Sequence, residues 1–212
     1  MHYHFGLNWL GIPLLGRQDG IESEYNRKCG CCTKILDPYG HHSLVCMKTP
    51  HRILRHNGIR DIIYNYCKRA GFDCEKEKMV LPQSSERPAD IYIDLYKHGN
   101  PAVLDVAVTS PLQDKYIREA SMDQYYAIND YTKYKVNKWN GYQVANMNYI
   151  PFIVDIIGGI GIEGRNLLYE LQNAIKAQPG NKYLNVVQEI TTKIAFNVIR
   201  NNTSIMMVRG RF

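Results

Sequence analysis

Three cysteines lie within four residues, Cys29, Cys31 and Cys32, with His41, His42 and Cys46 close behind. Thiolates and neutral imidazoles are the donors that zinc prefers, and four protein ligands close its coordination sphere into a structural site. The best set is Cys29, Cys32, His42 and Cys46, spaced Cys-x2-Cys-x9-His-x3-Cys. Cys31 is an alternative to Cys29 or Cys32, and His41 to His42. Asp37-Pro38-Tyr39-Gly40 turns the chain between the two pairs. Clustering of this kind favours metal over disulfides. With Cys67 and Cys74 read as ordinary thiols, the set suits a reducing intracellular compartment.

A second group is acidic. Asp90 stands at the start of one strand candidate and Asp105 on the returning one, with 14 residues between them. A hairpin of this length brings both to one side of a sheet if Asp105, Ala107 and Thr109 share a face. Paired carboxylates suit a hard cation that keeps some of its waters, which points to magnesium or manganese. Such an ion neutralises phosphodiester charge and lowers the pKa of a bound water. Taken alone, a strand aspartate is more often a cap or surface residue.

The elements that must position these groups follow from periodicity. Ile59, Ile62, Ile63, Tyr66 and Ala70 recur at helical spacing within His51 to Ala70, and Gly71 supplies a stop. Lys78 to Leu81 is a short strand candidate, closed by Pro82 and a polar loop from Gln83 to Arg87. Ile91 to Tyr96 alternates, placing Asp90, Tyr92 and Asp94 opposite Ile91, Ile93 and Leu95. His98-Gly99-Asn100-Pro101 then turns the chain into a strand from Ala102 to Thr109. Asp114 to Trp139 reads as one long helix, Asn148 to Ile157 as a buried strand, and Glu163 to Ala177 and Tyr183 to Asn201 as two further helices. The expected order is helix, three strands, helix, strand, helix, helix.

Composition bounds the rest. A chain of 212 residues with 45% hydrophobic content supports one domain with an appendage. Its longest apolar runs fall well short of the roughly 20 residues that a membrane-spanning helix needs. Met1 to Gly16 lacks a basic leading segment and a cleavage site, and reads as folded structure. The net charge of +6 permits nucleic-acid binding without demanding it. From Arg165 to Phe212 seven Lys or Arg residues face only Glu170 and Glu189. A basic helix there, with Lys193 and Arg200 as its representatives, is either a phosphate contact or a solvated face.

Taken in order, the cysteine pair, Asp37-Pro38-Tyr39-Gly40-His41-His42 with Cys46, Arg55-His56-Asn57, Arg87-Pro88-Ala89-Asp90 and Leu104 to Pro111 resemble the restriction-like endonuclease domains of site-specific non-LTR retrotransposons. Lys135-x2-Lys138-Trp139 looks like the Lys-x2-Lys-Tyr element of that family, and Ile150 to Gly161 like its following strand and glycine turn. The resemblance covers Lys28 to Leu171.

It implies a PD-(D/E)XK nuclease core, an α/β fold with a mixed four-stranded sheet flanked by helices. Residues 1–50 would form the N-terminal segment and zinc knuckle, and residues 51–212 the nuclease domain with its C-terminal helices. Asp90 and Asp105 would be the motif acids. The usual lysine position is Ala107, so the resemblance moves the lysine role to Lys135 or Lys138 on the next helix. Trp139 departs from the family's tyrosine. Arg55 and His56 would lie near the substrate backbone, or else serve the helix start or the knuckle. The implied activity is magnesium- or manganese-dependent hydrolysis of DNA leaving a 3′-hydroxyl, in the nucleus and in company with a reverse transcriptase. Rival expectations are a nuclease-like module that binds nucleic acid without cutting, and a junction-resolving nuclease.

Gly159-Ile160-Gly161-Ile162-Glu163-Gly164 also spells a dinucleotide-binding pattern, with Glu189 near the place of a ribose-binding acid. Too little chain follows Glu189 to complete the sheet of such a site. A tight strand-to-helix turn with close packing is the simpler reading.

Overall fold

The computed structural model describes residues 28–29, 32–35, 41–46, 50–81, 89–142, 144–181 and 184–209. The expectations for Met1 to Gly16, Cys31, the turn at 37–40, the loop at 83–87, Pro88 and Tyr183 fall outside these residues.

The described chain is a mixed α/β fold. Its elements are α1 (His41–Val45), α2 (Pro50–Arg69), β1 (Cys74–Lys76), β2 (Ile91–Ile93), β3 (Ala102–Thr109), α3 (Ile117–Ala120), α4 (Tyr126–Asn140), β4 (Asn148–Asp155), α5 (Ile162–Lys176) and α6 (Val186–Arg209). The sheet runs β1-β2-β3-β4. β1, β2 and β3 pair antiparallel, and β4 lies parallel to β3, with Asp105 opposite Pro151. A parallel partner requires a crossover, and α3 with α4 supplies it.

Both faces of the sheet are covered. Leu104 and Val106 of β3 and Phe152 and Val154 of β4 join one large core with residues of α2, α5 and α6. On the other face Val103 packs with Trp139, and Ala107 with Ile128 and Ile153. In α6, Val186, Ile190, Ile194, Val198 and Ile205 are fully buried. Each contributes about 1.5–3 kcal/mol of burial free energy, which makes α6 a structural helix. No helix among the described residues is long and apolar enough to cross a membrane.

Several boundaries differ from expectation for local reasons. The first strand is Cys74–Lys76, not Lys78 to Leu81. Glu77 takes a left-handed backbone conformation, φ 55°, which breaks the ladder before Lys78 is reached. β2 stops at Ile93, leaving Leu95 exposed. The long helix is two: Asp123 accepts the Tyr125 N–H at 2.8 Å, a side-chain turn that competes with helical bonding. Likewise Asp155 accepts the N–H groups of Ile157 and Gly159, both at 2.8 Å, and so ends β4 two residues early. α6 begins at Val186 and runs two turns past Asn201, because Asn202 and Ile205 have buried partners.

The glycine pattern is a packing device. A Cβ at Gly159 would stand 2.6 Å from Asp155 Oδ2, and one at Gly164 would stand 2.9 Å from Ile160 Cγ2. Close approach alone accounts for glycine at both positions.

Candidate functional site

Cys29, Cys32, His42 and Cys46 come together, their ligand atoms all within 4.8 Å of one another. An isolated bridge between Lys28 and Ile35 brings Cys29 and Cys32 into one loop, while α1 and its exit carry His42 and Cys46. Cys29 Sγ and Cys46 Sγ are 3.8 Å apart, and Cys32 Sγ is 3.1 Å from His42 Nε2. Two sulfurs each about 2.3 Å from one tetrahedral zinc would stand about 3.8 Å apart, so the donor set fits that ion in chemistry and spacing. The cluster can hold zinc. It is seated on the body by Leu44, buried against Ile156 and Ile205.

The second group assembles where β2 meets β3. The Asp90 N–H donates to the Leu104 carbonyl at 2.9 Å. Its carboxylate then accepts the Val106 N–H at 2.7 Å. From the first half of α2, His56 Nε2 lies 2.9 Å from the Val106 carbonyl oxygen and 3.3 Å from Asp90 Oδ2. Asp90 and His56 thus satisfy a stretch of β3 edge that β2 is too short to cover. Burial alone would pull the His56 pKa down, but the Asp90 carboxylate and the other acceptors hold it above its ordinary value.

Asp105 points to the α4 side. Lys135 Nζ lies 2.9 Å from both of its oxygens, and the Tyr149 hydroxyl donates to Oδ2 at 2.7 Å. Burial works against the Lys135 charge; attraction to Asp105, with Asp90 adding, outweighs it and raises the pKa. Burial, and then the Asp105 charge, raise the Tyr149 phenol too, so it stays a donor. Asp105 and Lys135 therefore form an ion pair whose ammonium also feels the charge of Asp90.

The remaining expected residues are dispersed. Lys138 is exposed on α4, one turn beyond Lys135. Ala107, at the usual lysine position, is buried in the α4 contact. Arg55 is 2% exposed and turns toward the knuckle, the second of the two places expected for it. Its guanidinium donates to Asn202 Oδ1 at 2.6 Å and to the Leu44 carbonyl at 3.4 Å, so it braces the knuckle helix. Burial, with Arg52 adding repulsion, lowers its pKa to about 10. Lys193 and Arg200 are exposed on α6, on the far side of the sheet from α4. The Lys193 ammonium lies 2.9 Å from Glu189 Oε1 and 2.8 Å from the Tyr66 hydroxyl.

One site residue, Tyr149, escaped the sequence reading, and the contact made by another, Trp139, was not foreseen. Tyr149 lies in the strand expected from Asn148 to Ile157, and its hydroxyl donates to Asp105. Trp139, 6% exposed, stacks on the Tyr149 ring at 4.7 Å and 5° and so fixes that phenol. The aromatic directly after Lys135-x2-Lys138 was the available signal for the tryptophan.

These observations define a mixed α/β protein with a Cys3His cluster able to hold a metal ion and a separate acid–lysine group. No protein-family model and no curated protein matches the chain.

Proposed function

We propose that this chain is a metal-dependent DNA endonuclease of the PD-(D/E)XK class, with the cysteine–histidine cluster as a structural zinc knuckle. The observation that carries the reading is Lys135 on both oxygens of Asp105, beside Asp90. It matches the displaced lysine that the retrotransposon resemblance implies. The four-stranded mixed sheet with helices on both faces also suits that class.

Asp90 and Asp105 would hold magnesium or manganese, hard ions that oxygen donors fit. Such an ion supplies Lewis acidity and an acidified water. The chain's own residues do the rest. Lys135 neutralises charge developing on the reacting phosphate, in a half-buried setting where a fixed cation is worth more than in water. Tyr149 and Trp139 orient Asp105, and His56 and the Val106 N–H orient Asp90. Lys138 is the second candidate for the lysine role. DNA is the proposed partner, and a reverse transcriptase the proposed associate.

Purified protein incubated with single-stranded, duplex and branched DNA tests the reading, with magnesium, manganese or chelator. Cleavage that needs the ion and disappears in Asp90→Asn and Asp105→Asn, with DNA binding retained, is the expected result. Binding without cleavage under every condition would reject the enzyme in favour of a nuclease-like binding module. Ala107 in place of the usual lysine is the feature that favours that second reading.

A further inference from the structure

We propose that α4 carries a base-stacking platform beside the Asp90–Asp105–Lys135 group, so that the site takes a DNA strand with unpaired bases. This rests on the nuclease reading for the class of ligand, and it adds which form of that ligand is taken.

Positions 131, 134, 135 and 138 are three, four and seven apart and so share one side of the helix. The Tyr131 and Tyr134 rings lie 5.8 Å apart and 7° from parallel. Tyr131 packs toward Ala107, Ile128 and Ile153, whereas Tyr134 belongs to none of the four apolar clusters of the described residues and is 56% exposed. The fold leaves Tyr134 more than half exposed, yet it holds the ring parallel to an anchored one. Lys135 joins this pair to the acidic group: its Nζ lies 5.8 Å from the Tyr131 ring centroid and 2.9 Å from both Asp105 oxygens. Lys133 and Lys138 are exposed on the same helix.

Aromatic rings interleaved with lysines are what a single strand needs: each base offers a π-face to stack, and each phosphate a charge to neutralise. In a duplex those faces are taken up by neighbouring base pairs. A flat exposed ring beside the cations therefore selects strands whose bases are free. Because every base has such a face, the selection is for unpairedness over sequence.

Binding to fluorescently labelled strands tests this, using the full chain in chelator so that nothing is cut. The probes are oligothymidylate, a strand of equal length and charge built of abasic units, and a blunt duplex. Wild type should bind oligothymidylate more tightly than the abasic strand or the duplex. Tyr134→Ala and Tyr134→Leu should each weaken oligothymidylate binding about five- to a hundredfold, the effect of losing one stacked base. Both should leave the abasic strand unaffected, and Tyr134→Phe should bind as wild type does. At a position this exposed, leucine preserves helix and bulk and removes only the aromatic face.

The proposal is overturned if the Tyr134 variants bind oligothymidylate as wild type does, or lose both strands equally. It is also overturned if wild type ignores both strands or does not distinguish them. The expected binding pattern without cleavage in magnesium or manganese upholds the platform and sinks the nuclease. Cleavage that is indifferent to Tyr134, with binding equally indifferent, does the reverse.

Discussion

Replacing Lys135 with methionine keeps the length and helix-forming tendency of the side chain and deletes its charge. Lys135 and Asp105 retain 19% and 14% side-chain exposure. At 2.9 Å their gross attraction is about 6 kcal/mol at an effective dielectric constant near 20. Desolvation of the two charges offsets most of that, so the intact pair adds little, whereas half a pair is costly. Removing one partner of a buried ion pair destabilises by about 3–5 kcal/mol. Asp105 keeps the Tyr149 hydroxyl and some solvent, so the lower end, about 3 kcal/mol, applies. Urea unfolding in chelator should show this loss as a lower midpoint at unchanged slope. Manganese offers Asp105 the missing positive charge, and at a hundred times its Kd it should return about 2.7 kcal/mol. Wild type should gain less, because the ammonium already holds both oxygens. Adding Asp105→Asn to Lys135→Met should recover most of the stability in chelator and abolish the manganese response. A double variant as unstable as the single one would show that an isolated carboxylate is not the cause. A single variant indifferent to manganese would refute cation binding by the acidic group.

Protein purified without chelator should contain one zinc per chain by elemental analysis. Cys46→Ser should lose it together with solubility, and Cys67→Ser, altering a buried thiol outside the cluster, should keep it. Arg55→Ala should lower stability by about 1–3 kcal/mol in chemical denaturation, because it strands the Asn202 carbonyl in the core. It should leave the salt dependence of DNA binding unchanged, since a buried guanidinium meets no phosphate. Substituting Lys193 and Arg200 together by alanine should weaken binding to all sequences alike and flatten the salt slope if α6 tracks phosphates. Because Lys193 is already paired with Glu189, Arg200→Ala alone should reproduce most of that change.

What the sequence disclosed is what local spacing determines. The ligand set at Cys29, Cys32, His42 and Cys46 was legible because each pair is closed by a few residues of chain. The strand at Ala102–Thr109 was legible to the residue, being an apolar run bracketed by Pro101 and Pro111. A three-residue strand such as Cys74–Lys76 has too little periodicity to announce itself, and a single left-handed residue, Glu77, shifted the apparent strand beyond it. The break at Asp123 depended on whether its carboxylate caps a turn or faces solvent, which composition does not decide. Tyr149 owes its role to the register of two strands 40-odd residues apart in sequence, where Val103 sits opposite it and Asp105 one step along the same face. Arg55 carries a surface residue's chemistry into the core, and its partner lies 147 positions away.

That separation has a temporal side. Every strand of the sheet, and every residue of the acid–lysine group, precedes Asp155 in the chain, whereas the partners of Arg55 and Leu44 include Asn202 and Ile205. As the chain leaves the ribosome, the cysteine–histidine segment emerges among the first of the described residues and its seat among the last. Until α6 arrives, Leu44, Ile156 and the Arg55 guanidinium have only part of their native surroundings, and loop closure over so long a span is slow. The four ligands can therefore emerge together before the surface that seats them exists. Quality control acting in that interval would meet a cysteine–histidine segment whose seat is still missing, a gap that closes only when α6 docks.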